Sequence, residues 1–198
     1  MTLILARHGQ TAANAAGLLL GRADPTLTDL GRRQAQAVAA ALGRPARIVS
    51  SPLRRAVETA DAFGLPVEID ERWVEVDYGT FDQQPIGGVS ADVWTQWRTD
   101  VSYVPAGGES LLAVGLRVRE ACAALAPDAI DGDVVVVSHV SPIKAAVAWA
   151  LGVGDGISWR MHLNVAAITR IAIGPRGASL TTFNETAHLA GVDALPMT

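Results

Sequence analysis

Arg7, His8 and Gly9 set a guanidinium, an imidazole and a residue without a side chain in succession near the start of the chain. Gly9 permits unusual dihedrals and lets backbone come close to a ligand. Gln10, Thr11 and Asn14 add neutral donors just downstream. Alone, an Arg-His pair reads equally well as ordinary satisfied polar residues. Three other places support it. Arg54 and Arg55 follow Ser50-Ser51-Pro52-Leu53 in what reads as the first turn of a helix. Cations there oppose the helix dipole, and a bound anion accounts for them; for Arg54 a solvated charged face serves as well. Ser138-His139 follows a run of valines, so His139 should project from a strand end, into a site or onto a backbone carbonyl. Glu75 and Asp77 bring carboxylates to the start of an irregular stretch. What these groups share is the means to hold an anion, with imidazoles and carboxylates beside it.

To converge, these residues need elements whose ends meet. Residues 3–6 read as a short buried strand. Thr28 caps a helix over 29–42 that Gly43 stops. Residues 47–49 form a second strand, and Ser51-Pro52 opens a helix to Phe63, with proline where its missing N–H costs little. Residues 66–69 make a third strand. Between 71 and 110 the pattern loosens, with Trp73, Trp94, Trp97, Tyr103 and Pro105-Ala-Gly-Gly, as in a lid insertion; its tryptophans read as packing residues first. A helix over 110–125 precedes a strand over 133–138 whose Val134–Val137 core is the best buried parallel strand in the chain. Residues 141–151 are helical again, and 166–173 and 178–183 flank Gly174-Pro-Arg-Gly177 as a terminal hairpin. The alternation predicts an α/β fold, a three-layer α/β/α sandwich with a mostly parallel central sheet, in one domain over 1–198 with a small lid at about 71–110. Ligands in such sheets bind beyond the carboxyl ends of the strands. Arg7-His8, Ser50-Ser51 and Ser138-His139 all sit at such ends.

Of the 198 residues, 49% are apolar and 18% charged, which is a globular composition. The net charge of −4 argues against non-specific binding to nucleic acid or anionic membranes. No apolar run approaches a membrane span, and the start of the chain is too briefly apolar for a signal peptide. The single Cys122 reads as a buried thiol in a reducing compartment, so a cytoplasmic protein is expected. The four histidines show no metal-ligand spacing.

Several ordered segments carry a resemblance. They are Arg-His-Gly at 7–9, Leu-Thr-Asp-Leu-Gly-Arg-Arg-Gln-Ala at 27–35, Ser-Ser-Pro-Leu-Arg-Arg-Ala-x-x-Thr-Ala at 50–60, Glu-x-Asp-Tyr-Gly at 75–79, Gly-Gly-Glu-Ser at 107–110 and Val-Val-Ser-His at 136–139. Over about residues 2–152 this set resembles the histidine phosphatase superfamily, of phosphoglycerate-mutase-like fold, in its phosphatase branch. The resemblance implies a phosphomonoesterase for a small phosphorylated metabolite, with no metal or cofactor. His8 would accept the phosphoryl group, and Arg7, Arg55, Asn14 and His139 would surround its oxygens. Gln10, Thr11 and Arg22 would contribute further substrate contacts, and Glu75 the leaving-group proton. A neutral His8 can attack, and a positively charged His139 would help bind phosphate. The sequence departs from the family pattern at Val140, where glycine is common, and at Phe81-Asp82-Gln83, which lacks a glycine. The tail at 183–189 resembles the ends of actinobacterial acid phosphatases of the superfamily.

Asp77, Glu109 and Asp82 are rivals to Glu75 as proton donor. The lid offers few cations (Arg72 and Arg98, with Arg22 from the first loop), which favours a hydrolase over a mutase. A non-catalytic phosphate-binding protein on the same fold is the alternative from a different class. The physiological phosphomonoester stays open, and a homodimer is compatible with the resemblance.

Overall fold

The structure, a computed structural model, describes residues 1–192. Six strands form one sheet in the order β3-β2-β4-β1-β5-β6. They are β1 (Thr2–Arg7), β2 (Arg47–Ser50), β3 (Glu68–Ile69), β4 (Val134–Ser138), β5 (Ile168–Gly174) and β6 (Gly177–Glu185). The pairs β3-β2, β2-β4 and β4-β1 are parallel; β5 runs antiparallel to both its neighbours. The helices are α1 (Ala12–Ala15), α2 (Asp29–Leu42), α3 (Arg54–Asp61), α4 (Ala91–Thr99), α5 (Leu111–Leu125), α6 (Asp128–Asp131) and α7 (Val140–Leu151).

The central strands are apolar on both faces because helices cover both. Leu3, Leu5, Val134 and Val136 face α5 and α7 with Ile143, Val118 and Cys122, whereas Ile4, Ala6, Val135 and Val137 face α2 and α3 with Val38 and Ala56. This alternation, period two along each strand, makes the three layers. Burial pushes the Cys122 thiol pKa well up, so it stays protonated. Among the described residues no helix is long and apolar enough to cross a membrane.

Several expected boundaries shift. The helix expected from Ser51-Pro52 begins at Arg54 behind Leu53. The third strand shrinks from 66–69 to Glu68–Ile69 at the sheet edge, since Pro66 has no N–H for the ladder. Trp73 belongs to the main core rather than to a lid, fully buried with Leu5, Val114 and Val136. The 71–110 stretch holds an unforeseen helix, α4, capped by Ser90. Its Trp97 is the hub of a separate aromatic cluster with Tyr78, Phe81, Trp94 and Tyr103, so Trp94 and Trp97 pack as expected.

The start of α2 abuts the loop that follows β1. The Thr28 hydroxyl accepts from Gly31 N–H, and the Thr28 N–H donates to the Gln10 carbonyl at 2.9 Å. A Cβ on Gly31 would collide with that carbonyl oxygen, and backbone cannot yield as a flexible side chain can. Gly31→Ala is expected to cost about 1–3 kcal/mol by overpacking; equilibrium urea unfolding measures it, and an unchanged midpoint would remove this account of the contact.

Candidate active site

The parallel strands end together. In the ladders Arg7 lies opposite Ser138, and Ser50 opposite Val137. The next residues therefore leave the sheet side by side, with His8 N–H donating to the Ser138 carbonyl and Ser51 N–H to the Val137 carbonyl, each at 3.0 Å. The His8 and His139 rings lie 5.1 Å apart between centroids, tilted by 55°. From α3, Arg55 reaches inward and donates through Nε to His139 Nδ1 at 3.2 Å, while Arg54 is exposed. His8, Arg55 and His139 are 2%, 0% and 0% exposed. Three elements distant in sequence thus supply one buried nest.

Its hydrogen bonds fix the imidazole tautomers. His8 Nδ1 lies 2.7 Å from the Gly9 carbonyl, which can only accept, so Nδ1 carries the proton and Nε2 keeps its lone pair. His139 Nδ1 accepts from Arg55, so its Nε2 carries the proton and donates to Ser51 Oγ at 2.7 Å. Burial, then the Arg55 and Arg7 cations, hold the His8 pKa well below its ordinary value. Burial, Arg55, His8 and Arg7 do the same to His139. In this arrangement His139 is neutral, because a second ring proton would sit against the Arg55 N–H.

Both arginines are anchored by backbone carbonyls. Arg7 donates to Leu163 O at 2.7 Å, while its Nε is closed off from solvent with no partner. Burial lowers its pKa to about 10, against the opposing pull of Glu75. Arg55 donates to Gly21 O at 2.8 Å and Ala23 O at 2.7 Å. The N–H groups of the same two residues are taken by the Asp82 carboxylate, at 2.8 and 2.7 Å. The Gly21–Ala23 loop is therefore strapped between Arg55 and Asp82.

Glu75, 3% exposed, caps α7 from a distant part of the chain. Its Oε2 accepts from Val140 N–H at 3.0 Å and its Oε1 from Ser141 N–H at 3.1 Å and Val76 N–H at 2.8 Å. Pro142 follows with no N–H to satisfy, and His139, the N-cap residue, makes no side-chain cap of its own. The carboxylate thus completes the first turn of the helix that begins directly after His139. The rivals are engaged otherwise. Asp77 accepts from Gly79 N–H in a local turn, Asp82 holds the strap, and Glu109 pairs with Arg117 at 2.9 Å and Arg22 at 3.3 Å.

The remaining expected residues divide. Asn14 uses Oδ1 to accept from Thr11 N–H and Oγ–H, leaving its amide N–H groups without protein partners among the described residues. Thr11 is fully buried, with its amide and hydroxyl both consumed in that capping box; the expectation that it contacts substrate is corrected. Gln10 Oε1 accepts from Thr28, and Arg22 is drawn to Glu109 rather than to the histidines. Four residues have structural roles that the sequence reading did not give, although it named Asp82 as a rival proton donor and placed Ser51 at a strand end. Ser51 orients His139; Thr59 joins Gly9 N–H to the Arg55 carbonyl; Asp82 fixes the strap; and Arg117 donates to the carbonyls of Arg72 and Glu75. Only Ser51 had a signal, its place at a strand end. Among the described residues no three His, Cys, Asp or Glu side chains gather as a metal site requires.

A family model, histidine phosphatase superfamily (branch 1), matches residues 3–186. The chain belongs to this superfamily. The crystal structure of a phosphoserine phosphatase mutant of Entamoeba histolytica in complex with phosphoserine superposes with a TM-score of 0.88 at 28% identity, over 95% of this chain and 98% of that one. A bifunctional protein of Mycobacterium tuberculosis is 36% identical across 94% of this chain, which spans only 54% of that relative's length. A glucosyl-3-phosphoglycerate phosphatase of the same organism is 37% identical over 74% of this chain and 73% of its own.

The neutral histidines predict a pH dependence of folding. Both stay unprotonated when folded at pH values where unfolded ones, with an ordinary value of 6.5, bind protons. As pH falls below 6.5 the unfolded chain gains protons that the folded chain does not, and stability falls by about 1.4 kcal/mol per pH unit for each histidine. In urea unfolding below that pH, His8→Gln and His139→Gln should each flatten the slope by about that amount. Slopes equal to wild type would show that the histidines titrate normally.

Proposed function

We propose that this chain is a metal-independent phosphomonoesterase acting on a small phosphorylated metabolite through a phosphohistidine at His8. One observation carries the reading: an imidazole with a free Nε2 lone pair lies in a closed nest with two guanidiniums and a second imidazole. Phosphoryl transfer is mainly positioning and stabilisation of charge on the equatorial oxygens, and such a cradle supplies both without a divalent ion. Phosphatase activities named for two relatives support the same class of reaction.

In this reading Glu75 enters the cycle as the carboxylic acid: His8 Nε2 attacks phosphorus, the bond to the leaving oxygen breaks, and that oxygen takes the Glu75 proton. Its Oε1 accepts two N–H groups and Oε2 only one, so Oε2 is the oxygen with room for the proton. Water then attacks phosphorus, Glu75 takes the water's proton, and the N–P bond breaks to regenerate His8. Splitting hydrolysis into two steps lowers each barrier. Arg7, with its unpartnered Nε, and Arg55, with an N–H left on each terminal nitrogen, hold the phosphoryl oxygens. The His139 Nε2–H, now on Ser51, and the Asn14 amide complete the shell. Gln10 and Arg22 stand further out, as contacts to the rest of the substrate.

Turnover of p-nitrophenyl phosphate with EDTA present tests the class. Undiminished turnover is expected; loss with EDTA would mean a metalloenzyme, and none at any pH a binding protein. Glu75→Gln should reduce kcat by about 10²–10⁴-fold on an alkyl phosphate and far less on p-nitrophenyl phosphate, with the melting temperature followed because α7 loses part of its cap. Equal losses on both substrates would remove Glu75 as the donor.

A further inference from the structure

The motif at 27–35 has no part in the proposed chemistry, yet it opens α2 against the two residues that follow His8. Three of its positions, spaced three apart and so on one side of the helix, take hold of them. The Thr28 N–H donates to the Gln10 carbonyl at 2.9 Å. Gly31 lets the helix lie flat on Gly9 and Gln10, since a Cβ on Gly9 or on Gly31 would strike the backbone opposite. The third is Gln34, a polar side chain only 5% exposed. Its amide oxygen accepts from the Gln10 N–H at 2.9 Å.

That bond gains its meaning from the other side of the same peptide. The Gln10 N–H and the Gly9 carbonyl belong to one trans peptide unit, in which the two point in opposite directions within a rigid plane. Fixing the N–H to α2 therefore aims the carbonyl, and the carbonyl lies 2.7 Å from His8 Nδ1. The preceding peptide is held by α3, where Thr59 Oγ1 accepts from the Gly9 N–H at 3.1 Å. Glycine by itself would let both units turn; two helices supply the rigidity it lacks. Which nitrogen of a neutral imidazole carries the proton is set by the hydrogen bonds of the ring. With no acceptor at Nδ1, the proton is free to settle on Nε2, and the lone pair that must meet phosphorus is lost.

We propose that Gln34 is a positioning residue for the nucleophile: by holding the Gly9–Gln10 peptide it keeps the His8 proton on Nδ1 and the Nε2 lone pair available for attack. The proposal rests on the phosphohistidine reading and deepens it. Gln34 acts through the backbone, from α2 across one peptide to the imidazole. Thr28 and Gly31 serve the same end by seating that peptide on the helix.

The experiment reads the His8 tautomer from nitrogen–proton correlation spectra of histidine-labelled protein, at a pH where the ring is neutral, with His8→Gln to assign the signals. In wild type the proton is expected on Nδ1. Gln34→Met keeps the length of the side chain and removes its acceptor. It should move the proton wholly or partly to Nε2 and lower kcat/KM for p-nitrophenyl phosphate about 10–10²-fold, as misplacing a reacting group does. Inhibition by inorganic phosphate should stay as in wild type, because Arg7 and Arg55 keep their own anchors. Gln34→Glu leaves an oxygen facing the Gln10 N–H in either protonation state and should restore both tautomer and rate. A Gln34→Met protein with the wild-type tautomer overturns the proposal even if its rate falls, since the role is then merely structural. A shifted tautomer with an undiminished rate overturns it as well, as does a wild-type proton on Nε2. If Gln34→Met fails to fold, Gln34→Asn, with its oxygen one methylene short, is read in the same way. A wild type that hydrolyses no phosphate ester overturns the phosphatase reading, while the tautomers still decide the role of Gln34.

Discussion

Arg7, Arg55, His8 and His139 crowd into one place from which water is largely excluded, and the two guanidiniums raise the cost of positive charge on both imidazoles. The guanidiniums keep their protons because their intrinsic basicity is so high; the imidazoles surrender theirs. Two fixed cations and two neutral rings result, with Glu75 the buried carboxylate acting on both arginines. Such a nest is unsatisfied as it stands, and a dianion bearing several acceptor oxygens would relieve it.

Holding so much like charge together takes fixed dipoles. Carbonyls of Leu163, Gly21 and Ala23 face the guanidiniums and that of Gly9 faces His8. They are partial negative charges that a substrate cannot displace by competing for protons. The sheet supplies the positions of the side chains and the loops supply the compensating dipoles. Glu75 belongs to both systems, since it satisfies the start of α7 and stands beside the arginines. The helix it caps begins directly after His139, so one short segment carries both the capped turn and an imidazole of the nest.

Much of this was legible in the chain. Val134–Val137 marks a strand buried on both faces, and polar residues directly after three apolar runs mark the strand ends, so the convergence of His8, Arg55 and His139 follows from the architecture. What escaped depends on tertiary neighbours. The neutrality of His139 comes from the Arg55 Nε–H, a contact across 84 positions. The capping role of Glu75 spans 65 positions, and local pattern carries no trace of it. Thr11 looked like a ligand donor because its type suits one, yet a capping box consumes it. Trp73 seemed part of the lid because its sequence neighbours are irregular, although burial alone placed it in the core.

The strap at Gly21–Ala23 couples regions that would otherwise be independent. The carbonyl oxygens of Gly21 and Ala23 face Arg55, and the N–H groups of the same two residues go to Asp82 on the lid side. Asp82 is thus a fixed point of the lid, alongside Trp73 in the core and Glu75 at the start of α7. A chimera that imports a foreign lid to change substrate choice must reproduce an acid at position 82, or the guanidinium loses the rest against which it is aimed.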